Sequence, residues 1–397
     1  MSEISDHATP RWVLPAVLAS SLITVGLASF WPVSPTAPTA PSESAAASAD
    51  APLIVKAPQP NPPGMVWVPG GSFVMGVEQL PSPGEPNPHR IKPDEYPAHT
   101  VELDGYWIDQ TEVTNREYAR FVAATGYQTY SEKVPTRDEL ARSGIDVNLV
   151  KDEMLVPGSL CFNPDFDRTK LDMSCDGWEM SVWKFMPGAD WKHPDGPESS
   201  IEERLDHPVV HLNFDDVLAY CDWIGKRLPT EAEFEFAARN GGGPEIYPWG
   251  NEFTPGGEML CNYYQGTFPT APQILDGFVA TSPVKSFPPS RLGLFDISGN
   301  VWEWCSDNYH VAYYSVSPKR NPQGPEESYD PLEPGLPKRV IRGGSFMCNT
   351  NNCTGYRCGA RMRAEALSGT FHTGFRCVVD TAGYDQWKAR QANAGAP

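Results

Sequence analysis

The densest group of chemically reactive residues is a series of cysteines near the C-terminal end of the chain. Cys348, Cys353 and Cys358 follow one another closely, and Cys377 lies further on. Three kinds of site use such groups: structural zinc, structural disulfides, and thiols kept free for chemistry. The spacing differs from the two-residue knuckle of tetrathiolate zinc sites, which disfavours zinc. Disulfides suit an exported protein and two soft thiolates without other ligands suit Cu(I), so the spacing alone leaves both interpretations open.

The composition limits the functions that these thiols can serve. The formal net charge is −19 and there is no cluster of lysine and arginine, so a nucleic-acid partner is excluded, because phosphate binding needs a basic face. The 41 prolines, 34 glycines and 12 tryptophans indicate a body of tight turns and aromatic packing with little regular structure. Nine cysteines are typical of an exported protein, and their odd number leaves at least one unpaired within the chain.

The N-terminal region predicts export. Residues 12–31 are mostly apolar, long enough to cross a bilayer, and preceded by Arg11, which places the body outside the cytoplasm. The small residues of 26–28 also fit a signal-peptide cleavage site, although an uncleaved membrane anchor is slightly favoured. Residues 32–63 form a linker rich in proline, alanine and serine. We therefore expect an anchored or periplasmic protein with a stub and hydrophobic segment (1–31), this linker, a folded domain (64–382) and a tail (383–397).

Local signals predict the elements that must position the cysteines. Capping boxes or an asparagine cap at the start, and glycine or arginine at the end, predict helices over 114–126, 213–225 and 230–239. The apolar stripe of the second helix directs Cys221 inward. Short β-rich runs predict strands at 65–68, 72–75, 101–108, 209–212 and 339–342.

The residues around the cysteines resemble the C-terminal signature of the formylglycine-generating enzymes. The signature segments are Arg342-Gly343-Gly344-Ser345-Phe346-Met347-Cys348, Cys353, Tyr356-Arg357-Cys358 and Gly374-Phe375-Arg376-Cys377. Further similar segments lie at 64–76, 206–209, 219–221, 225–233, 247–251 and 299–304, so the resemblance covers about 64–380. Many of these motifs mark a wider superfamily that includes binding and sulfoxide-forming members. The cysteine pair after Gly-Gly-Ser-Phe is what indicates the oxidase.

The resemblance implies both a fold and a reaction. The fold would be a single irregular, loop-rich α+β domain with C-type-lectin-like topology. The reaction would use O2 and a thiol reductant to convert the cysteine of a Cys-x-Pro-x-Arg sequence in an unfolded sulfatase to Cα-formylglycine. Cys348 and Cys353 would hold Cu(I), to which the substrate thiolate would add.

Other residues receive roles from the same resemblance. Ser345 matches an active-site serine, and Trp302 matches a tryptophan that shapes the oxygen pocket. Substrate binding is expected of Arg376, of Ser159, whose alignment is loose, and of His372, which stands where an asparagine is usual. Each also has a structural interpretation, since serines satisfy turns, tryptophans pack in cores and buried arginines form ion pairs.

The resemblance further implies two calcium sites and a disulfide. The matching calcium positions are Asn262, Tyr263, Asp276 and Phe278, then Asp296, Gly299, Val301 and Glu303, which offer carbonyl and carboxylate oxygens. Cys221 would pair with Cys377. The usual partner of Cys358 is replaced by Ala238, so Cys358 would be free or would pair with Cys305 or Cys261. Cys161 and Cys175 lie in a region that vertebrate members lack; they could bridge each other across thirteen intervening residues, at modest entropic cost.

A second class of function competes with the oxidase. In it the chain is a non-catalytic, calcium-stabilised binding domain, and Cys348 and Cys353 form a structural disulfide. A metal site at His207 and His211 is disfavoured because Pro208 predicts an extended segment. The chain has no nucleotide-binding loop or nucleophile elbow, and a sulfoxide synthase would need a further histidine-bearing domain. We prefer the oxidase because the resemblance extends to individual residues of the site.

Overall fold

The computed structural model describes most of the chain. The described residues are 56–82, 85–163, 165–169, 171, 181–351 and 353–393. The predicted hydrophobic segment at 12–31 and the predicted partner Cys175 lie outside these ranges. Within the ranges, no helix is both long and apolar enough to cross a membrane.

The body is α+β and rich in loops, as expected. Its helices are α1 Asn115–Thr125, α2 Arg137–Arg142, α3 Phe214–Ile224, α4 Glu231–Ala238 and α5 Tyr384–Asn393. Its strands are β1 Met65–Val68, β2 Gly71–Met75, β3 His99–Leu103, β4 Tyr106–Asp109, β5 Gly158–Phe162, β6 Trp183–Pro187, β7 Gln265–Thr267, β8 Ala271–Gln273, β9 Trp302–Asn308, β10 Lys338–Arg342, β11 Met362–Glu365, β12 Thr373–Gly374 and β13 Val378–Asp380.

Two small sheets organise these strands. One has the order β1-β4-β13 and is antiparallel. The other has the order β11-β10-β9-β12, in which only the pairing of β12 with β9 is parallel. Two-stranded ladders join β2 to β3, β5 to β6 and β7 to β8. The second sheet matters most for the site, because the cysteine segment follows directly from β10.

The three predicted helices are confirmed. The Thr114 hydroxyl accepts from the Glu117 amide at the start of α1, and Gly126 ends the helix with φ 70°. Asn213 and Gly225 delimit α3 in the same way, and a capping box begins α4. These signals are reliable because a cap satisfies the free amides of the first turn from within the same few residues.

Two strand predictions need correction. The run 101–108 is not one strand, because β3 pairs with β2 whereas β4 pairs with β1 and β13. Gly105 separates them where the chain passes closely against Trp67 and Gly70. The run 209–212 is not a strand; only the preceding Pro208 makes a bridge, and His211 adopts φ 63°, which ends the extended conformation.

The predicted C-terminal tail contributes a helix to the body. In α5, Tyr384 and Trp387 are buried, and the Tyr384 ring packs against Trp107. The hydroxyl of Tyr384 donates to the Pro60 carbonyl at 2.9 Å, so residues of the predicted linker also contact the body. Burial of two large aromatic rings accounts for this docking.

Helix α4 lies at the centre and fastens the second sheet through ion pairs. All eight of its residues are buried, including Glu231 and Glu235. Arg342, at the end of β10, donates to Glu231 at 3.0 Å and to Glu235 at 2.6 Å. Arg361 also binds Glu231, at 2.7 Å. Because buried charges are tolerated only when paired, these contacts hold the end of β10 in one position against α4.

Candidate active site

A double-glycine turn carries the chain from β10 to the first cysteine. Gly343 and Gly344 adopt φ values of 89° and 76°. A side chain at position 344 would place its Cβ 2.6 Å from the Gly355 carbonyl carbon, so glycine is required there. The turn is followed by Ser345, whose carbonyl accepts from the Cys348 amide at 2.8 Å.

The two cysteines face each other across a short loop. Asn349 and Cys353 exchange two backbone hydrogen bonds of 2.9 Å. The Asn349 amide side chain donates to the Gly266 carbonyl at 2.9 Å, which ties the loop to β7. The sulfur atoms of Cys348 and Cys353 lie 2.6 Å apart, both residues are buried, and neither forms a disulfide.

The environment of the two sulfurs gives Cys348 and Cys353 different pKa values. Burial raises the pKa of Cys348. The hydrogen bond from Cys348 lowers the pKa of Cys353 to about 7. The pair therefore favours a thiol beside a thiolate, so that two soft sulfur donors lie side by side. This donor set fits a soft monovalent metal such as Cu(I).

A small, largely apolar cavity of about 50 Å³ adjoins the sulfurs. Trp302 and Ser345, to which the resemblance assigns active-site roles, both line it. A side chain at Gly355 would collide with the Trp302 indole, so close packing fixes the ring. The cavity also contains residues that the sequence did not single out, namely Leu160, Trp183, Phe268, Met362 and Thr370. They come from the β5–β6 hairpin, the turn after β7, β11 and the loop before β12, and they share no motif, so no local signal could have found them.

His372 and Ser159 occupy different parts of the site. His372 lines the cysteine cavity and stacks on Trp183 with ring centroids 5.2 Å apart. Burial, together with the neighbouring His211, lowers the pKa of His372 to about 3, so its imidazole is neutral. Ser159 instead lines a second, larger pocket, and its hydroxyl donates to the Gly369 carbonyl at 2.9 Å.

The larger pocket adjoins the cysteine cavity. Its volume is about 650 Å³. Both cavities are lined by Leu160, Trp183, Ala364, Thr370 and Thr373. The site is thus a narrow chamber containing the sulfurs beside a wide apolar pocket large enough for several residues of a peptide.

Arg376 does not line either cavity. Its side chain is fully buried, and its Nε and Nη2 atoms each donate to a carboxylate oxygen of Glu303 at 2.7 Å. Further donation goes to the Phe295 carbonyl at 3.1 Å. Every one of these contacts is internal to the body, which fits a buried ion-pair partner, and the substrate-binding role of Arg376 stays a prediction.

The predicted calcium residues form two groups. In the first, the Gln265 amide side chain donates both to the Asp276 carboxylate, at 2.8 Å, and to the Tyr263 carbonyl. The Phe278 amide donates to the same carboxylate at 3.0 Å, and the Asn262 side chain donates to the Ala280 carbonyl.

The second group contains more carboxylates than cationic side chains. Asp296 and Glu303 lie near Glu112, which the sequence did not single out, and Arg376 is their shared cation. Burial raises the pKa of Glu112 and raises that of Asp296 to about 6. In the described structure, Asp296 Oδ1 and Glu112 Oε2 have no hydrogen-bond partner. These oxygens fit a hard cation, although the described residues contain no cluster of three acidic, histidine or cysteine side chains arranged as a metal site.

The predicted pair Cys221 and Cys377 is brought together, with sulfurs 3.6 Å apart. All eight cysteines of the described ranges are buried, and none of them forms a disulfide. Cys358 donates to the Ala238 carbonyl at 3.4 Å, and Cys161 donates to the Pro194 carbonyl at 3.8 Å.

Oxidation of the protein should link Cys221 to Cys377 and stabilise the fold by about 2–4 kcal/mol, because the bridge would close a long loop. Peptide mapping would detect the link, and unfolding with and without reductant would measure the gain. In Cys377→Ala the reductant should have no such effect; an equal response there would contradict the pairing.

The structure is that of an α+β protein with a buried pair of thiols beside a peptide-sized pocket. Comparisons with known proteins show the family to which it belongs. A family model described as the sulfatase-modifying factor enzyme 1-like domain matches residues 50–381. The chain therefore belongs to the formylglycine-generating enzyme (sulfatase-modifying factor) family.

Individual relatives cover most of the chain. A formylglycine-generating enzyme of Thermomonospora curvata is 40% identical over 82% of this chain and 96% of its own length. That of Bos taurus is 38% identical over 84% of this chain and 79% of its own length. A protein of Mus musculus named inactive C-alpha-formylglycine-generating enzyme 2 is 34% identical over 80% of this chain and 85% of its own.

One solved structure supports the fold. PvdO from Pseudomonas aeruginosa matches with a TM-score of 0.52 at 23% identity, covering 80% of this chain and 94% of that chain. The shared architecture is consistent with the irregular α+β body described above.

Proposed function

We propose that this protein is an oxidase that converts the cysteine of a Cys-x-Pro-x-Arg sequence in an unfolded sulfatase to Cα-formylglycine. The observation that carries the proposal is the pair of buried, unbridged sulfurs of Cys348 and Cys353, 2.6 Å apart beside a peptide-sized pocket. The names of the active relatives agree with it. The overall reaction consumes O2, the substrate thiol and a thiol reductant, and releases the aldehyde, hydrogen sulfide, water and the oxidised reductant.

Cys348 and Cys353 are the residues that would hold Cu(I). Bound there, copper would supply the single-electron chemistry that O2 needs to react with a closed-shell thiol. The protein's own contribution is the position of the two sulfurs, which the Asn349 side chain and the double-glycine turn hold in place. Both soft ligands are therefore present on one short loop before the substrate arrives.

The surrounding side chains would prepare the chamber for the substrate. The apolar surfaces of Trp302, Phe268 and Met347 exclude bulk water from the sulfurs. The Ser345 hydroxyl accepts from the Met347 amide at 3.2 Å, which leaves its proton free to donate within the chamber. His372 is neutral and offers a ring nitrogen to a bound peptide without adding charge.

Wild-type protein tests the proposal directly. Reduced protein should bind about one Cu(I) per chain and, with O2 and a thiol reductant, form an aldehyde on a Cys-x-Pro-x-Arg peptide. Metal content is measured by mass spectrometry and the aldehyde by aminooxy capture. Protein that binds no copper and forms no aldehyde under these conditions would refute the oxidase.

The competing function is a non-catalytic binding domain with a structural Cys348–Cys353 disulfide. It deserves a test because a relative named inactive is also 34% identical. In that case the two cysteines would be recovered as a disulfide that reductant and copper leave unchanged, and peptide binding would persist without aldehyde formation.

Calcium is proposed as a structural cofactor. Bound near Asp296 and Glu303, it would compensate the excess of buried carboxylate described above. Calcium at about 100 times its dissociation constant should then stabilise the fold by about 2.7 kcal/mol, because it binds only the native state. Thermal unfolding with calcium and with a chelator measures this effect. Asp296→Asn should weaken the response, whereas the exposed Asp206→Asn should not; an equal response in both would contradict the site.

We also propose that the protein is exported from the cytoplasm. An oxidase acting on unfolded sulfatases would be exported, and residues 12–31 are the candidate membrane anchor or signal segment. Fractionation of cells that express the full chain, followed by N-terminal sequencing, would distinguish the anchored from the cleaved form.

A further inference from the structure

The segment between β2 and β3 is fastened to the loop that carries Cys353. The Thr354 hydroxyl donates to the His89 carbonyl. Arg90 follows directly, and its Nε donates to the Thr350 carbonyl at 3.1 Å. Two neighbouring residues of the segment are thus held against the cysteine loop.

The acidic side chains of this segment point inward and have partners of their own. Both oxygens of the buried Glu95 accept from the Arg357 guanidinium, at 2.9 and 2.7 Å. The buried Asp94 accepts from the Tyr309 hydroxyl at 2.7 Å, and the charge of Arg361 acts on the same carboxylate. Neither acid is therefore free to neutralise a cation at the surface of the segment.

Two cations of the segment have no carboxylate partner among the described residues. The terminal nitrogens of Arg90 make no hydrogen bond there, and the ammonium of Lys92 has only the Met362 sulfur as an acceptor, at 3.5 Å. Both side chains are half-buried, in a chain whose net charge is −19. Partly desolvated cations without an anionic partner are costly, so the pair suits an anionic ligand.

The unpaired cations lie close to the more accessible of the two sulfurs. Cys353 is 6% exposed, whereas Cys348 is 1% exposed. Met362, which Lys92 contacts, lines the cysteine cavity together with Cys353. After the hydrogen bond from Cys348, the charge of Lys92 also lowers the pKa of Cys353. Burial lowers the pKa of Arg90, and negative charge on Cys353 opposes that shift. An anion held by both cations would therefore lie beside the Cys353 sulfur.

We propose that Arg90 and Lys92 bind the carboxylate of the thiol reductant beside Cys353, so that the reductant is an acidic thiol. The proposal rests on the oxidase function, since it assigns a chemical class to the reductant of that reaction. A carboxylate accepts charge-assisted hydrogen bonds from both a guanidinium and an ammonium. Two molecules of the thiol would release two electrons and two protons and leave as one disulfide. Together with the two electrons taken from the substrate, these reduce O2 to water.

Alkylation of the reduced, metal-free protein tests the anion site without turnover. Iodoacetate and iodoacetamide are similar in size, and both alkylate a thiolate with release of iodide, but only iodoacetate is an anion. Peptide mapping gives the rate constant of each reagent at Cys353. The ratio of the two rate constants reports the local charge, because the thiolate fraction and the access to the sulfur affect both reagents alike.

Lys92→Met and Arg90→Gln should each lower the ratio of iodoacetate to iodoacetamide rates about three- to tenfold, because each removes one cation close to the sulfur. The effect should shrink at high salt, which screens partly exposed charges. Lys388→Met makes the same change at an exposed position of α5 and should keep the wild-type ratio.

Three results would overturn the anion site. One is an unchanged ratio in both natively folded variants, as judged by circular dichroism, and another is an equal loss in Lys388→Met. The third is a Cys353 that reacts with neither reagent, since a small thiol could not reach it either. If the variants lose copper affinity while the ratio stays constant, the two cations only balance the charge of the thiolates and the assignment is wrong.

Turnover with two thiols connects the anion site to the reductant. With mercaptoacetate, Lys92→Met should raise the KM for the thiol by a similar factor, whereas the KM for neutral 2-mercaptoethanol should not change. An unchanged KM for mercaptoacetate would show that the site does not serve the reductant. If the wild type forms no aldehyde but the alkylation ratio falls in the variants, the oxidase fails while the anion site stands. If aldehyde forms and the ratio does not fall, the reverse holds.

Discussion

Alanine at position 348 or 353 is expected to abolish both Cu(I) binding and aldehyde formation. Each substitution removes one sulfur of a pair that is buried and whose two atoms lie side by side. A single thiolate binds a soft metal far less tightly than two, and the substrate thiol could no longer join a preformed pair. The fold should survive at a cost of no more than about 2 kcal/mol, because the side chains are small and their loop is held by Asn349. Copper content, aldehyde yield and circular dichroism check the three parts.

Cys305→Ala is the matched control for this experiment. Cys305 is also a fully buried, unbonded cysteine, but it packs in the core beside α4 and does not line the chamber. It should keep wild-type copper content and turnover. If Cys348→Ala or Cys353→Ala instead keeps as much aldehyde formation as Cys305→Ala, the mechanism is wrong.

Arg376→Met should lower the free energy of unfolding by about 3–5 kcal/mol, since it leaves buried charge without its partner. Arg376 donates twice to Glu303 at 2.7 Å, and Glu112 and Asp296 lie close to the same guanidinium. Methionine fills a similar volume but cannot compensate these carboxylates. Urea denaturation of the purified variant measures the loss.

The structural role of Arg376 makes a different prediction from a role in substrate binding. Arg116→Met breaks an exposed ion pair with Asp206, 2.9 Å long, and should cost less than about 1 kcal/mol. If Arg376→Met instead unfolds like the wild type and only raises KM for the peptide, the residue belongs to the substrate cleft after all. A combined loss of stability and retained KM would support the internal ion pair.

The helices were predictable because their signals are local. Thr114 with Glu117, and Thr230 with Glu233, satisfy helix amides within a span of three residues, whatever the rest of the chain does. The run 101–108 differs from its prediction for the opposite reason. Whether it continues as one strand depends on β1, β2 and β13, which are far away in the sequence, and on the close approach of Gly105 to Trp67.

The candidate site divides in the same way. Ser345, Cys348 and Cys353 belong to one short segment, so their motif predicted their proximity to one another. His372 and Trp302 were expected from the resemblance, and their positions in the cysteine cavity depend on β9 and β12 pairing in parallel. Trp183 and Phe268 reach the same cavity from unrelated hairpins and carried no signal at all.

The sequence by itself determined the family, the caps of the principal helices and the short cysteine segment, because each depends on residues that are neighbours in the chain. Only the tertiary structure decided which carboxylates share Arg376 and how a narrow chamber adjoins a wide pocket. The physical reason is that burial and the balance of charge are set by segments that meet in space, and a charged side chain has no defined partner until the fold brings one to it.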